Sequence, residues 1–594
     1  MLALVVGVAL GWVRLYTRGL AEETRDRRIT ELASDLWEHE RDAGDHDATD
    51  ASRALAIVGR TLRGIPADLS WRLERRTGLL SRRWPAHPLL RPQAVLALLG
   101  AALAAASVAG AARLVLSDRR IVVGANTLVG RGGSTVDATN SPTVAVNPSN
   151  PSNLVITRRI DRPGYGAALD WSFDGGRSWG STSLPLPETV PACAAPLRRA
   201  AACPYAPEAA FARDGTLYVS FLHLARRGNR PEGLWLARST DGGRTLSRPV
   251  RVAAGVLLQP RLAVGRDGTV IVTFMQPKEV ALFRVDLPTA IFAVRSTDGG
   301  RTFSAPVRVS DSQRIRVGAA TPVVEESGTL VVLYEDFRDD VRDYGNLEGP
   351  AWEGNFALVV SGSTDGGRTF SRGIEVEPQV VPARRFLVFL PEFPSLASGP
   401  DGTAYAAWAD ARYGDEDVFL RRSTDGGVTW GGVTRVNDNP MRDGTSQYLP
   451  NVSMAPSGRV DLLFLDRRRD PSNVMTDAEL AVSYDRGGSF ENQRLSSRPF
   501  SSSIGPAAGP QYLPPDFGSR LGLASLPGKA IAAWTDTRRG TGASGRQDVV
   551  VASVQVPNPA QAVGGGVLVA LLLAAAAGLL LAARRPATAP MPSS

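Results

Sequence analysis

Ser296-Thr-Asp298-Gly-Gly-Arg-Thr-Phe303 is one of six segments that fit Ser-x-Asp-x-Gly-x-(Ser/Thr)-(Trp/Phe/Leu). The others are Ser172 to Trp179, Ser239 to Leu246, Ser363 to Phe370, Ser423 to Trp430 and Ser483 to Phe490. Their aspartates, Asp174, Asp241, Asp298, Asp365, Asp425 and Asp485, are spaced 67, 57, 67, 60 and 60 residues apart, a period of one supersecondary unit per repeat. Aspartate accepts hydrogen bonds from turn N–H groups, and glycine supplies the positive φ of a tight hairpin. Short β-rich runs flank the segment, such as Ile291-Phe-Ala-Val-Arg295 before it and Val307-Arg-Val309 after it.

Each unit carries a further strand, polar turn and strand upstream, as in Pro260 to Val264, Asp267-Gly268 and Thr269 to Phe274. Four antiparallel strands per unit make a propeller blade, so the expected fold is an all-β propeller. The last unit, Leu521 to Ala524, Ala530 to Trp534 and Val549 to Val554, lacks a fourth strand. Ile121 to Val129 is the candidate to supply it and close the ring, which gives seven blades, with six as the alternative. Between the second and third strands of four units comes Asp-x-Arg: Asp336 and Arg338, Asp410 and Arg412, Asp466 and Arg468, Asp536 and Arg538. Carboxylate and guanidinium presented together suit either a polar ligand site or the fastening of adjacent blades. Glu335, Tyr448 and Tyr512 break the repeat's symmetry and are candidates for a ligand face or for packing at the channel mouth.

The chain has 594 residues and a formal charge of +8, carried almost wholly by arginine, with Lys278 and Lys529 the only lysines. Basic and acidic residues alternate through the repeats without a stripe, so no nucleic-acid partner is expected. His39, His46 and His87 precede the repeats and only His223 lies within them, which disfavours a histidine zinc site or a Ser-His-Asp hydrolase. Asp415, Glu416 and Asp417 lack the spacing of a calcium loop, and neither metal nor cofactor is expected. Cys193 and Cys203 are the only cysteines and form a candidate disulfide, two free thiols being the alternative.

Ala94 to Ala112 and Val563 to Ala583 are apolar runs long enough to cross a bilayer as helices. Arginines before the first and after the second predict cytoplasmic chain ends and an extracytoplasmic repeat region. The expected organisation is a cytoplasmic helical region at 1–91, spans at 92–116 and 563–583, a propeller over 117–560 and a cytoplasmic tail at 584–594, in the cell membrane. The run Val13-Arg-Leu-Tyr-Thr-Arg-Gly-Leu20 resembles an N-terminal region of actinobacterial membrane proteins, a resemblance that implies no activity.

The six turn segments resemble the Asp-box, or BNR, repeats of the sialidase superfamily, over roughly Pro142 to Val554. That resemblance implies structural roles for the six aspartates and a ligand face on the opposite side, where the Asp-x-Arg turns lie. It also implies two functions: a cell-surface propeller binding glycans or proteins, or an exo-sialidase-like glycoside hydrolase acting on terminal acidic sugars. The hydrolase would use Asp410, Arg412, Asp536, Arg538, Tyr448, Tyr512 or Glu335, and Asp336, Arg338, Asp466 and Arg468 would bind ligand. The family's Phe/Tyr-Arg-Ile-Pro motif is absent before the first blade.

Overall fold

The structure is a computed structural model that describes Glu23, Asp26, Thr30 and residues 120–130, 136–187, 203–224, 231–281, 284–338, 354–382, 393–399, 401–506 and 517–557. The chain divides into a unit of 1–118 with 560–594 and a unit of 119–559. In the first, only Glu23, Asp26 and Thr30 are described; they are helical, and the Thr30 hydroxyl donates to the Asp26 carbonyl at 2.9 Å. The two apolar runs therefore lie outside the described residues, among which no helix is long and apolar enough to cross a membrane.

The second unit forms seven antiparallel sheets, each one blade of a propeller. In blades 1 to 6 the strands follow chain order from the innermost to the outermost. Each second strand is sandwiched between neighbouring blades, so it is buried on both faces and reads as a nearly continuous apolar run. Leu217–Leu224, Leu330–Asp336 and Val460–Asp466 are buried along their whole length. The largest core cluster draws on blades 3, 4 and 5, joining Ile271 and Ile291 to Leu333 and Tyr334 and these to Trp408 and Phe419.

Blade 7 is completed from the other end of the unit. Val122 and Val123 pair with Gln555 and Val554, and Thr127–Val129 pair with Val551, Val550 and Val549. The closing strand expected from sequence is thus present, and the blade count is seven.

The six Ser-x-Asp-x-Gly turns join third to outermost strands, all on one face. In blade 5, the Asp425 carboxylate accepts from the N–H groups of Val428 and Thr429 at 3.1 and 2.8 Å and from the Thr429 hydroxyl at 2.5 Å. The Ser423 hydroxyl donates to Asp425 at 2.7 Å and accepts from Gly427 N–H at 2.9 Å. Gly426 and Gly427 take φ values of 71° and 85°, which a side chain would strain. These donors, Thr429 first, hold the Asp425 carboxyl at about 2, below its ordinary 3.8.

A carboxyl whose pKa is depressed in the folded state contributes stability above its unfolded value and loses it as the pH falls through the folded one. The contribution of Asp425 should therefore be complete above about pH 4 and decline toward pH 2. Asp425→Asn should melt below the parent at pH 7 and show a flatter fall in Tm from pH 4 to pH 2; parallel profiles of equal slope would refute the assignment.

Candidate functional site

The innermost strands share a device that the turn motif does not announce. Register slips by one residue between Asn140 and Thr143, Tyr205 and Glu208, Leu258 and Arg261, Gly318 and Thr321, and Tyr448 and Asn451. At each bulge one residue adopts positive φ: Ser141 at 51°, Ala206 at 47°, Gln259 at 54°, Ala319 at 53° and Leu449 at 54°. Such conformations cost about 1–3 kcal/mol apiece. Proline follows in four of the five, where the bulge spares it a ladder hydrogen bond. Each bulge turns the next residue toward the axis, and Gly518 at 93° begins the equivalent turn of blade 7.

The residues so placed are Thr143, Glu208, Arg261, Thr321, Asn451 and Arg520, with Ser395 in the matching position after Phe393-Pro394. All except Thr321 line an axial cavity of about 150 Å³. Most of the polar ones stitch a blade to its neighbour. The Thr321 hydroxyl donates to the Pro394 carbonyl at 2.9 Å, the Asn451 amide to the Leu521 carbonyl at 2.5 Å, and the Ser395 hydroxyl accepts from Val452 N–H at 3.0 Å.

Three ionised groups break this pattern. Arg520 Nη1 donates to Glu208 Oε2 at 2.5 Å, and Arg261 Nε lies 3.1 Å from the same oxygen without hydrogen-bond alignment. Arg520 Nε is buried without a hydrogen-bond partner. The guanidinium carbons of Arg261 and Arg520 sit 5.4 and 5.9 Å from the centre of the Phe393 ring. Burial, reinforced by repulsion from Arg261 and Arg159 and opposed by Glu208, lowers Arg520 to about 10. Arg159 is itself held by Asp161 at 2.8 Å, whose carboxylate also accepts from Asn140 at 2.8 Å and Tyr205 at 3.4 Å. Among the described residues three guanidiniums thus face two carboxylates, an excess of one positive charge. A monoanion about 4 Å from that charge gains roughly 4 kcal/mol at an effective dielectric constant near 20.

The residues singled out from sequence lie elsewhere. Asp336, Asp410, Asp466 and Asp536 end the second strands, and each accepts from the N–H two residues on, at 3.0, 3.1, 2.7 and 2.9 Å. Arg412, Arg468 and Arg538 fold back onto their own aspartates at 2.5, 2.6 and 2.8 Å. Each also reaches toward the preceding blade: Arg412 to Glu377 at 3.4 Å, Arg468 to Asp438, and Arg538 to Ser497 at 2.6 Å. Arg338 donates instead to the Pro378 carbonyl of its own outer strand at 2.7 Å, while Asp336 pairs with Arg314 at 2.5 Å. The contacts of Arg412, Arg468 and Arg538 run to the preceding blade and that of Arg338 stays within its own, and none of the eight residues lines the axial cavity.

Gln447 and Tyr448 begin the innermost strand of blade 6. Tyr448 is buried in the core between blades 6 and 7 with Arg467 over its ring at 4.7 Å. Glu335 is buried on the second strand of blade 4, and Tyr512 lies outside the described residues. Cys203 is disulfide-bonded; Cys193, the only other cysteine, lies outside the described residues. Among the described residues no cluster of three or more metal-ligating side chains occurs.

Glu208, Arg261 and Arg520 escaped the sequence reading. Their signal is the x-Pro-x triplet of the innermost strands, Ala206-Pro-Glu208 and Gln259-Pro-Arg261, which lies half a unit away from the turn motif. Arg520 has no such proline before it.

No protein-family model and no curated protein matches the chain. Among solved structures, a Dyadobacter fermentans protein of unknown function is 12% identical over 73% of this chain and 99% of its own, with a TM-score of 0.41. A Hadza microbial sialidase is 18% identical over 62% of this chain and 68% of its own, at 0.37. A Penicillium chrysogenum alpha-L-arabinanase complexed with arabinobiose is 16% identical over 59% and 92%, at 0.35. Likeness at these scores carries no inference about ligand or reaction.

Glu208→Gln would leave the buried Arg520 guanidinium and the partly buried Arg261 guanidinium facing one another without a countercharge. It should lower unfolding free energy by about 3–5 kcal/mol, read as a shifted denaturation midpoint at constant m. Adding Arg520→Met should recover most of that loss, and a double variant no better than the single would refute the pairing.

Proposed function

We propose that the chain is a membrane-anchored, extracytoplasmic propeller that binds glycans or proteins through an anionic group received at the axial cavity. The observation that carries this reading is the excess, among the described residues, of the positive charge of Arg159, Arg261 and Arg520 over Asp161 and Glu208. A cavity of about 150 Å³ is smaller than the ~300–1,000 Å³ of pockets that enclose a whole small ligand. It suits the carboxylate or sulfate end of something larger. Anchoring is supported by the apolar runs Ala94 to Ala112 and Val563 to Ala583 with their flanking arginines.

A glycoside hydrolase acting on terminal acidic sugars is the second reading, favoured by one observation. Arginines from blades 1, 3 and 7 gather with Tyr205 and Glu208 of blade 2. Acid/base catalysis, however, needs a carboxyl free to exchange a proton with the substrate. Glu208 is the only acid among the described residues lining the cavity, and it is already engaged by two guanidiniums.

The test is an array of carboxylated, sulfated and neutral glycans probed with the full chain, followed by titration of a positive ligand. Saturable binding confined to anionic ligands, weakening with salt and at least tenfold weaker in Arg261→Gln, is the expected result. Equal binding of neutral glycans would refute the charge assignment, and turnover of a sialoside reporter would establish the hydrolase instead.

A further inference from the structure

The two faces of the propeller are not equally placed with respect to the chain ends. The third strand of blade 7, Asp548–Gln555, starts on the face of the Asp-x-Arg turns and finishes on the face of the Ser-x-Asp turns. Val556 N–H donates to the Gly528 carbonyl at 3.0 Å, beside Lys529, whose ammonium donates to the Gly175 carbonyl in the blade 1 Ser-x-Asp turn at 3.3 Å. Val122, paired with Gln555, begins the closing strand on this same face. Both ends of the propeller therefore leave it side by side among the Ser-x-Asp turns.

Val563, where the second apolar run begins, is only eight positions after Gln555, and Val122 is ten positions after Ala112, the end of the first. At ~3.3–3.6 Å per extended residue these tethers reach roughly 26–36 Å. Bringing the opposite face to the bilayer would require the C-terminal tether to run back along Asp548–Gln555, itself about 26 Å long at ~3.3 Å per residue. That path consumes nearly all of its reach.

The chemistry of the Ser-x-Asp face fits the same orientation. In blades 1 to 4 the turns expose Arg177, Arg244, Arg301 and Arg368. The carboxylates of these turns cap their own backbone: Asp298 accepts from Arg301 and Thr302 N–H and from the Thr302 hydroxyl at 2.9, 3.0 and 2.6 Å, while Asp214, Asp267, Glu326 and Asp401 are exposed in the other turns of this face. Blades 5 and 6 expose Val428 and Tyr484 on this face, at 58% and 39%, and Val122 at the chain end is 56% exposed. Guanidiniums beside apolar and tyrosyl side chains suit the interfacial zone of a bilayer.

We infer that the Ser-x-Asp face rests on anionic phospholipid headgroups, contacted by Arg177, Arg244, Arg301 and Arg368, so that the axial cavity is reached from the side away from the membrane. This rests on the membrane-anchored reading. Lipid contact fixes the propeller's attitude and turns the Asp-x-Arg face away from the bilayer.

The test uses the full chain in lipid nanodiscs, with a fluorophore on Val428→Cys or, on the opposite face, on Met441→Cys, which is 61% exposed. Energy transfer to headgroup-labelled lipid should be at least threefold greater from position 428. It should rise further when about a third of the lipid is anionic, and that increment should vanish in the Arg177→Gln, Arg244→Gln, Arg301→Gln, Arg368→Gln variant at unchanged Tm. If the combination lowers Tm, Arg301→Gln alone should remove part of the increment. Equal or reversed transfer from a disc-embedded chain overturns the orientation, and an increment indifferent to the arginines overturns the lipid contact. Release of the chain from membranes by alkaline carbonate would overturn the anchoring itself, a separate failure from either.

Discussion

Pairing of Val122–Val123 and Thr127–Val129 with the third strand of blade 7 is the contact on which the remaining structure depends. A seven-bladed ring left open there would expose the edge of Asp548–Gln555, a template for association with another chain. Closure also fixes the angular position of blade 7 against blade 1. Gln547 accepts from Asn140 at 2.9 Å across this seam, and the Ser141 hydroxyl accepts from Ser519 N–H at 3.1 Å. Without the seam, Arg520 would have no fixed position opposite Glu208.

The ring then imposes a division of labour. On the Ser-x-Asp face the carboxylate of each such turn is used up by that turn, which makes the motif repetitive and structural. On the opposite face the Asp-x-Arg pairs lock turns and connect blades, and their burial leaves little charge available to solvent. Asp466, for example, is pushed up by burial despite its ion pair with Arg468. At the axis each blade presents one side chain, placed by a bulge in five of them, and there the repeat gives way to difference: hydroxyls and an amide in four blades, ionised groups in three.

That contrast explains why the Asp-x-Arg residues drew attention and the axial ones did not. Asp410 and Arg412 stand two residues apart at a strand end, so carboxylate and guanidinium are visibly together in the chain. Their closeness is local, and local closeness is satisfied locally, here by a turn and by Glu377 of the neighbouring blade. Glu208 and Arg520 are 312 residues apart and each stands in an otherwise unremarkable strand.

Sequence alone determined the elements. A glycine-dependent turn repeated at near-constant spacing, flanked by strand-forming runs, admits little besides radially repeated sheets, because turn geometry and strand periodicity are short-range properties. The incomplete last unit likewise required a closing strand, and Ile121 to Val129 was legible as that strand. Tertiary structure decided which side chains meet at the axis and which face the chain ends share. Both follow from the number of blades and from the bulges in five of the innermost strands, which bring residues hundreds of positions apart within hydrogen-bonding distance through long-range geometry that no local pattern encodes.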